Sequence, residues 1–120
     1  MIVAASTAFG IFIQNGSVAS VHGVVVVGGA SAGLATNSLA GTTPSVSIDA
    51  SELSGNGYGV WTGGDAGIEQ VSIQNSNLSN NSVAGIRADD GSTIRVAYSA
   101  VTQNVTGLVA NGTGKIISMG

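Results

Sequence analysis

A single motif recurs four times along this chain and starts a fifth time. It reads IQNGSVASVHGVVV from Ile13, IDASELSGNGYGVWT from Ile48, IQNSNLSNNSVAGIRA from Ile73 and VAYSAVTQNVTGLVA from Val96, and IISMG opens it again at Ile117. The copies lie 21 to 35 residues apart. A repeat of this length means one supersecondary unit stacked on copies of itself, each covering the apolar face of the next.

Within a copy, two short alternating runs are joined by polar turns. The first run is Ile11-Phe12-Ile13, Val46-Ser47-Ile48, Val71-Ser72-Ile73 and Ile94-Arg95-Val96. Successive strand residues face opposite sides, so the outer pair of each triplet points inward and Phe12, Ser47, Ser72 and Arg95 point out. A small residue follows (Gly16, Ser51, Ser76, Ser99), then an apolar one (Val18, Leu53, Leu78, Val101). Asn56, Asn81 and Asn104 then occupy matching places, as stacked asparagines do when they hydrogen-bond along a ladder. Gly23, Gly59, Gly85 and Gly107 precede the second run, which opens with Val24, Val60, Ile86 and Leu108. A glycine there serves a turn that needs positive φ or no side chain.

The unit I-x-x-S-x-L-S-x-N-x(2–3)-G-[IV], as in Ile73 to Ile86, resembles the coil of the right-handed parallel β-helix proteins, the pectin-lyase-like superfold. The resemblance covers residues 11 to 120 and is specific for fold, not for activity. The expected fold is therefore all-β, a right-handed parallel β-helix of about four to five coils of roughly 22–25 residues each. Residues 1–120 are expected to form one such domain. The 35 residues from Ile13 to Ile48 exceed the 25 and 23 that separate the later copies. The excess, rich in Ala, Gly, Ser and Thr over residues 30–45, is expected to bulge from the stack as a loop, and such insertions often carry function. Neither end carries a capping pattern, so the chain reads as an excerpt of a longer solenoid, prone to end-to-end self-association through open strand edges.

Composition narrows the function. Only 8% of residues are charged and the net charge is −3, which leaves no basic patch for nucleic acid. Without cysteine, a disulfide framework, a thiolate metal site and a Cys nucleophile are excluded. No apolar run approaches the roughly 18 residues that span a membrane. The first 13 residues are apolar but lack a basic n-region, and read as strand; a signal for export would lie outside this chain. The resemblance implies an exported bacterial protein, extracellular or on the cell surface.

Family enzymes act on acidic polysaccharides, and their sites are not reproduced here. The lyases of the superfold hold calcium on an aspartate cluster beside an arginine base. In this chain no strand face stacks two aspartates: Asp49 has Gln74 and Ala97 in its column. The polygalacturonase order N-T-D, D-D, H-G, R-I-K is also missing, since His22-Gly23 precedes Asp89-Asp90 and Arg95-Val96 is followed by Ala97. No catalytic residue is assigned, and the lone His22 reads as a turn residue.

One outward column remains of interest, Val25, Trp61, Arg87 and Val109. Trp61 and Arg87 in adjacent rungs offer a flat apolar face and a cationic fork, a pair that suits a sugar ring or an acidic group. As a plain surface ladder they make a cation–π contact. Just beyond, Asp65, Asp89, Asp90 and Asn111 gather oxygens suited to calcium, although Asp and Asn are also ordinary turn residues. No other cofactor is expected. Three functions follow as expectations: a non-catalytic structural or surface-presenting segment, a segment of a carbohydrate-active enzyme, and a glycan-binding face around Trp61. The expected partner is a polysaccharide or none.

Overall fold

The structure, a computed structural model, describes residues 1–4, 8–15, 17–38, 41–63 and 68–119. Among them there is no helix. The described strands are β1 (Ile2–Ala4), β2 (Phe9–Gln14), β3 (Val18–His22), β4 (Val25–Val27), β5 (Ala32–Asn37), β6 (Ser45–Asp49), β7 (Glu52–Leu53), β8 (Tyr58–Thr62), β9 (Gln70–Gln74), β10 (Ala84–Ala88), β11 (Thr93–Ala97), β12 (Thr106–Ala110) and β13 (Lys115–Met119). They form three parallel sheets: short sheet A (β1-β4-β7), and two five-stranded sheets, B (β2-β5-β8-β10-β12) and C (β3-β6-β9-β11-β13). The chain visits B, C and A in turn and begins again one rung further on. The protein is a parallel β-solenoid of about five turns.

Alternation decides which side each strand shows the core. Along Ser45–Asp49 and Gln70–Gln74 the second and fourth residues are buried and their neighbours are not. Ile48, Ile73 and Val96 stack in register as expected, each in the interior. Leu53 and Leu78 form a second buried column, with Val101 partly buried beyond them. Leu34, Val60 and Ile86 form a third.

Two left-handed corners per coil bracket sheet A. One column is Gly23, Ala50, Asn75 and Tyr98, with φ of 64°, 50°, 49° and 50°; the other is Gly28, Gly55, Asn80 and Gln103, with φ of 77°, 68°, 56° and 56°. Side chains next to each corner close the backbone. The serine ladder runs from Ser51 Oγ to the Val24 N–H, from Ser76 Oγ to the Ser51 N–H and from Ser99 Oγ to the Ser76 N–H, each 3.1 Å. The asparagine ladder is also present: Asn81 Oδ1 accepts the Asn56 N–H at 3.0 Å, and Asn104 Oδ1 accepts the Asn81 N–H at 2.8 Å.

The first repeat is registered differently from the sequence expectation. Ile48 pairs with Val21, not with a residue of β2, and Ile13 pairs with Thr36 in sheet B. The slip is eight residues, from 13 to 21. It arises because Ile-Gln-Asn at 13–15 copies Ile-Gln-Asn at 73–75. Burial overrides that local identity: the observed register buries Val21, Val24 and Val26, whereas Val18, expected in the Leu53 column, is 84% exposed. With this register the coils advance by 27, 25, 23 and 22 residues from Val21 through Ile48, Ile73 and Val96 to Ser118.

Within residues 30–45, expected to bulge as a loop, Ala32–Asn37 is instead β5, paired with β2 and β8 and buried over most of its length; residues 39–40 lie outside the described residues. Gly23 belongs to a corner; the column of Gly59, Gly85 and Gly107 continues through Gly33 and Gly10, which occupy the matching place in β5 and β2. That column needs absence of a side chain, since a Cβ on Gly33 would lie 2.7 Å from Asn56 Nδ2 and one on Gly85 2.8 Å from Asn104 Nδ2. Finally, Val25 is on sheet A; the outward column of Trp61 and Arg87 runs back through Ala35 to Phe12. Gly16, expected beside the serines, lies outside the described residues, and Val24 takes that place.

Candidate functional site

The slip brings together residues that the sequence reading kept apart. Two outward columns on sheet B now read Phe9, Ala32, Tyr58, Ala84, Thr106 and Phe12, Ala35, Trp61, Arg87, Val109. Aromatics of the first coil stand on one side of the second coil, and those of the third on the other. Between them the second coil has only alanine. Ala35 is 3% exposed because its neighbours overhang it.

The result is a cleft of about 210 Å³ lined by Phe9, Phe12, Ala35, Thr36, Asn37, Trp61 and Gly63. Phe9 and Phe12 stack, with ring centroids 4.9 Å apart, and the Trp61 ring meets Phe9 edge-on at 6.4 Å. Tyr58 tilts against Trp61 at 5.1 Å. These separations are those of attractive aromatic pairs, so the walls support one another. Among the described residues no charged side chain lines the cleft.

Trp61 and Arg87 are register partners in adjacent strands, as expected. The guanidinium lies 4.7 Å from the Trp61 ring centroid and 5.4 Å from that of Tyr58. Two of its five donors are engaged: Nε donates to Asp89 Oδ1 at 2.9 Å and Nη1 to the Tyr58 hydroxyl at 2.9 Å. Trp61 Nε1 donates to Asp89 Oδ2 at 2.8 Å, and Asn111 Nδ2 donates to Asp89 Oδ1 at 2.9 Å. Burial pushes the Asp89 carboxyl up, but the bonds from Arg87, Trp61 and Asn111 together with the guanidinium charge hold it below its ordinary 3.8. Arg87 is raised in return, chiefly by its hydrogen bond to Asp89. One edge of Trp61 is thus bolted to a charged clasp, while the ring contributes to the cleft wall.

Of the residues expected to gather oxygens for calcium, Asp89 and Asn111 do meet, with Asn111 presenting its N–H₂ and not its carbonyl. Asp90 turns to Thr113, accepting its backbone N–H at 2.6 Å. Asp65 lies outside the described residues. Among the described residues no three His, Cys, Asp or Glu side chains converge as metal ligands.

His22 ends β3 and shares its column with Asp49; Nδ1 and Asp49 Oδ2 are 2.9 Å apart, both exposed. Asn75 Nδ2 donates to Asp49 Oδ1 at 3.1 Å, and that bond leads in holding the Asp49 carboxyl below its ordinary range. A wider concavity of about 670 Å³ runs over sheet A beside Val25, Glu52, Asn77 and Ala100, with Tyr98 at its edge. Its one aromatic is Tyr98, so it holds no stacked aromatic pair.

The missed residues are Phe9, Phe12, Ala35 and Tyr58. The signal that finds them is the pair Gly-aliphatic, present as Gly10-Ile11, Gly33-Leu34, Gly59-Val60, Gly85-Ile86 and Gly107-Leu108. Gly23-Val24 imitates it from the wrong sheet. No protein-family model matches the chain, and no curated protein or solved structure matches it. No helix among the described residues is long and apolar enough to cross a membrane.

Proposed function

We propose that this chain is a non-catalytic β-helix segment that presents the outer face of sheet B to a polysaccharide, and that the aromatic cleft over Ala35 seats one sugar ring. The observation that carries this reading is the gathering of Phe9, Phe12, Tyr58 and Trp61, four of the chain's five aromatics, around a floor of alanine. The C–H face of a pyranose packs on such rings, and Asn37 at the rim offers a polar contact for a hydroxyl. The extended solenoid is the kind of surface along which a polymer lies. The pectin-lyase-like resemblance of the coil, and the exported bacterial setting that it implies, agree with a polysaccharide partner.

The ring is neutral. Arg87 is committed to Asp89 and Tyr58, and a uronate carboxylate placed in the cleft loses water without gaining a cation. At about 0.3 kcal/mol per heavy atom, a ring of about a dozen atoms binds with about 4 kcal/mol, a Kd on the order of 1 mM. Trp61 is the sole tryptophan, so its fluorescence reports the site directly. Titration with cello-, manno- and chito-oligosaccharides is expected to shift the emission, and oligogalacturonate to leave it unchanged. Ala35→Leu fills the floor and is expected to abolish the response while the fold is retained. Silence across the whole panel would leave a purely structural segment.

A further inference from the structure

The corner that joins sheet B to sheet C contains a polar cluster inside the coil. Glu69 is fully buried, as are Thr62 and, within 1–3% exposure, Ser38, Ser92 and Thr36. Ser38 Oγ donates to Glu69 Oε1 at 2.7 Å. Among the described residues the other carboxylate oxygen has no hydrogen-bond partner, and neither have the hydroxyls of Thr36, Thr62 and Ser92. These groups lie on three successive coils. Thr36 and Thr62 are register partners at the ends of β5 and β8. Ser92 is one rung above Glu69, because the Thr93 N–H donates to the Glu69 carbonyl at 2.9 Å. Ser92 Oγ also lies 2.5 Å from where a Cβ on Gly63 would sit, next to Thr62.

A buried carboxylate requires a counter-charge. The protein has none to give. Its only cationic side chains are Arg87, Arg95, Lys115 and His22. Arg87 is held on the outer face by Asp89 and Tyr58, His22 pairs with Asp49, and Arg95 and Lys115 point to solvent. What the corner does have is oxygen: one carboxylate and several hydroxyls, the donor set of a hard cation. One negative charge balances one positive charge, whereas a divalent ion here would leave a buried excess.

We propose that this corner binds a monovalent alkali cation, Na⁺ or K⁺, between Glu69 and the hydroxyls of Ser38, Thr36, Thr62 and Ser92, and that the ion ties the second, third and fourth coils together. The site adjoins the aromatic cleft, with which it shares Thr36, but does not depend on the function of that cleft.

The test is thermal unfolding of the full chain at neutral pH in NaCl, KCl and tetramethylammonium chloride at matched ionic strength. An ion bound only by the folded state raises the midpoint by about 5 °C for each tenfold increase above its Kd. The expected result is such a rise with one or both alkali salts and none with the bulky cation, together with sodium-23 NMR line broadening that K⁺ reverses. Glu69→Gln is expected to erase the ion dependence. Should that variant fail to fold, Thr62→Val, which removes one hydroxyl and keeps the shape, is expected to shift the dependence to higher salt. Identical midpoints in the three salts would overturn the proposal.

Discussion

Asn81→Ala tests how the coils are held together. Asn81 is 1% exposed and sits between Asn56 and Asn104 in the ladder. Its Oδ1 accepts the Asn56 backbone N–H at 3.0 Å, and its Nδ2 donates to the Leu53 carbonyl at 3.2 Å and to Asn104 Oδ1 at 2.9 Å. Alanine leaves the Asn56 N–H and the Leu53 carbonyl without partners in a site closed to water. Each orphaned buried group costs about 1–3 kcal/mol, so the substitution is expected to cost about 2–6 kcal/mol. That is a large part of the total stability of about 5–15 kcal/mol for a domain of this kind. Asn104→Ala makes the comparison, because Asn104 is only half-buried and water reaches the groups it leaves; its loss is expected to be the smaller of the two. Urea unfolding with unchanged slope is the assay. A change below about 0.5 kcal/mol for Asn81→Ala, or equal losses at both positions, would refute the claim that a dry ladder carries the stack.

The register is tested by cysteine pairs in a chain that has no cysteine. Ser20 and Ser47 are partners on adjacent rungs, so Ser20→Cys with Ser47→Cys is expected to cross-link on mild oxidation; Phe12→Cys with Ser47→Cys, the pair that the repeat alone aligns, is expected to stay reduced. Ala50→Gly is expected to stabilise by up to about 1 kcal/mol in thermal melts, because Ala50 is held at φ 50°, where L-alanine is strained; a loss of stability contradicts the corner geometry. Acid unfolding reports the clasp: the Asp89 carboxyl is depressed in the folded state, so its contribution is present above its ordinary 3.8 and is lost as pH falls through the lower folded value. Asp89→Asn is expected to reduce the loss of stability below about pH 4, and an unchanged acid profile counts against that role.

Much of the fold was legible in the sequence, and the limits were physical. From Ile48 to Val101, alternating triplets, serines and asparagines recur at 23 and 25 residues, and each expected ladder formed in register; the fifth copy did not, since Val96 pairs with Ser118 and Ile117, expected in the buried column, pairs with Arg95 and is exposed. The first coil was harder because a local copy, Ile-Gln-Asn, competed with a core pattern built from three separated valines, Val21, Val24 and Val26. A shift of eight residues is even, so inward and outward faces remained plausible and alternation alone gave no warning. The sheet changed instead: Phe12, expected out on the Ser47 column, stands on the Trp61 column. The Trp61–Arg87 pairing was readable as two residues at one repeat position. The clasp from Asp89 was not, since side-chain hydrogen bonds between rungs leave no periodic trace. The buried Glu69 was equally silent, as a lone acid between strands reads as a solvated turn.

The alanine-floored cleft, and not the groove over sheet A, is the proposed seat of the sugar ring. Methyl NMR with labelled alanine tests it most directly. On addition of the neutral oligosaccharide that shifts Trp61 emission, cross-relaxation is expected between the ring protons of the sugar and the Ala35 methyl, flanked by contacts to Phe12 and Trp61. Contacts confined to Ala100 and Ala50 beside Tyr98, with the Ala35 methyl unmoved, would contradict it.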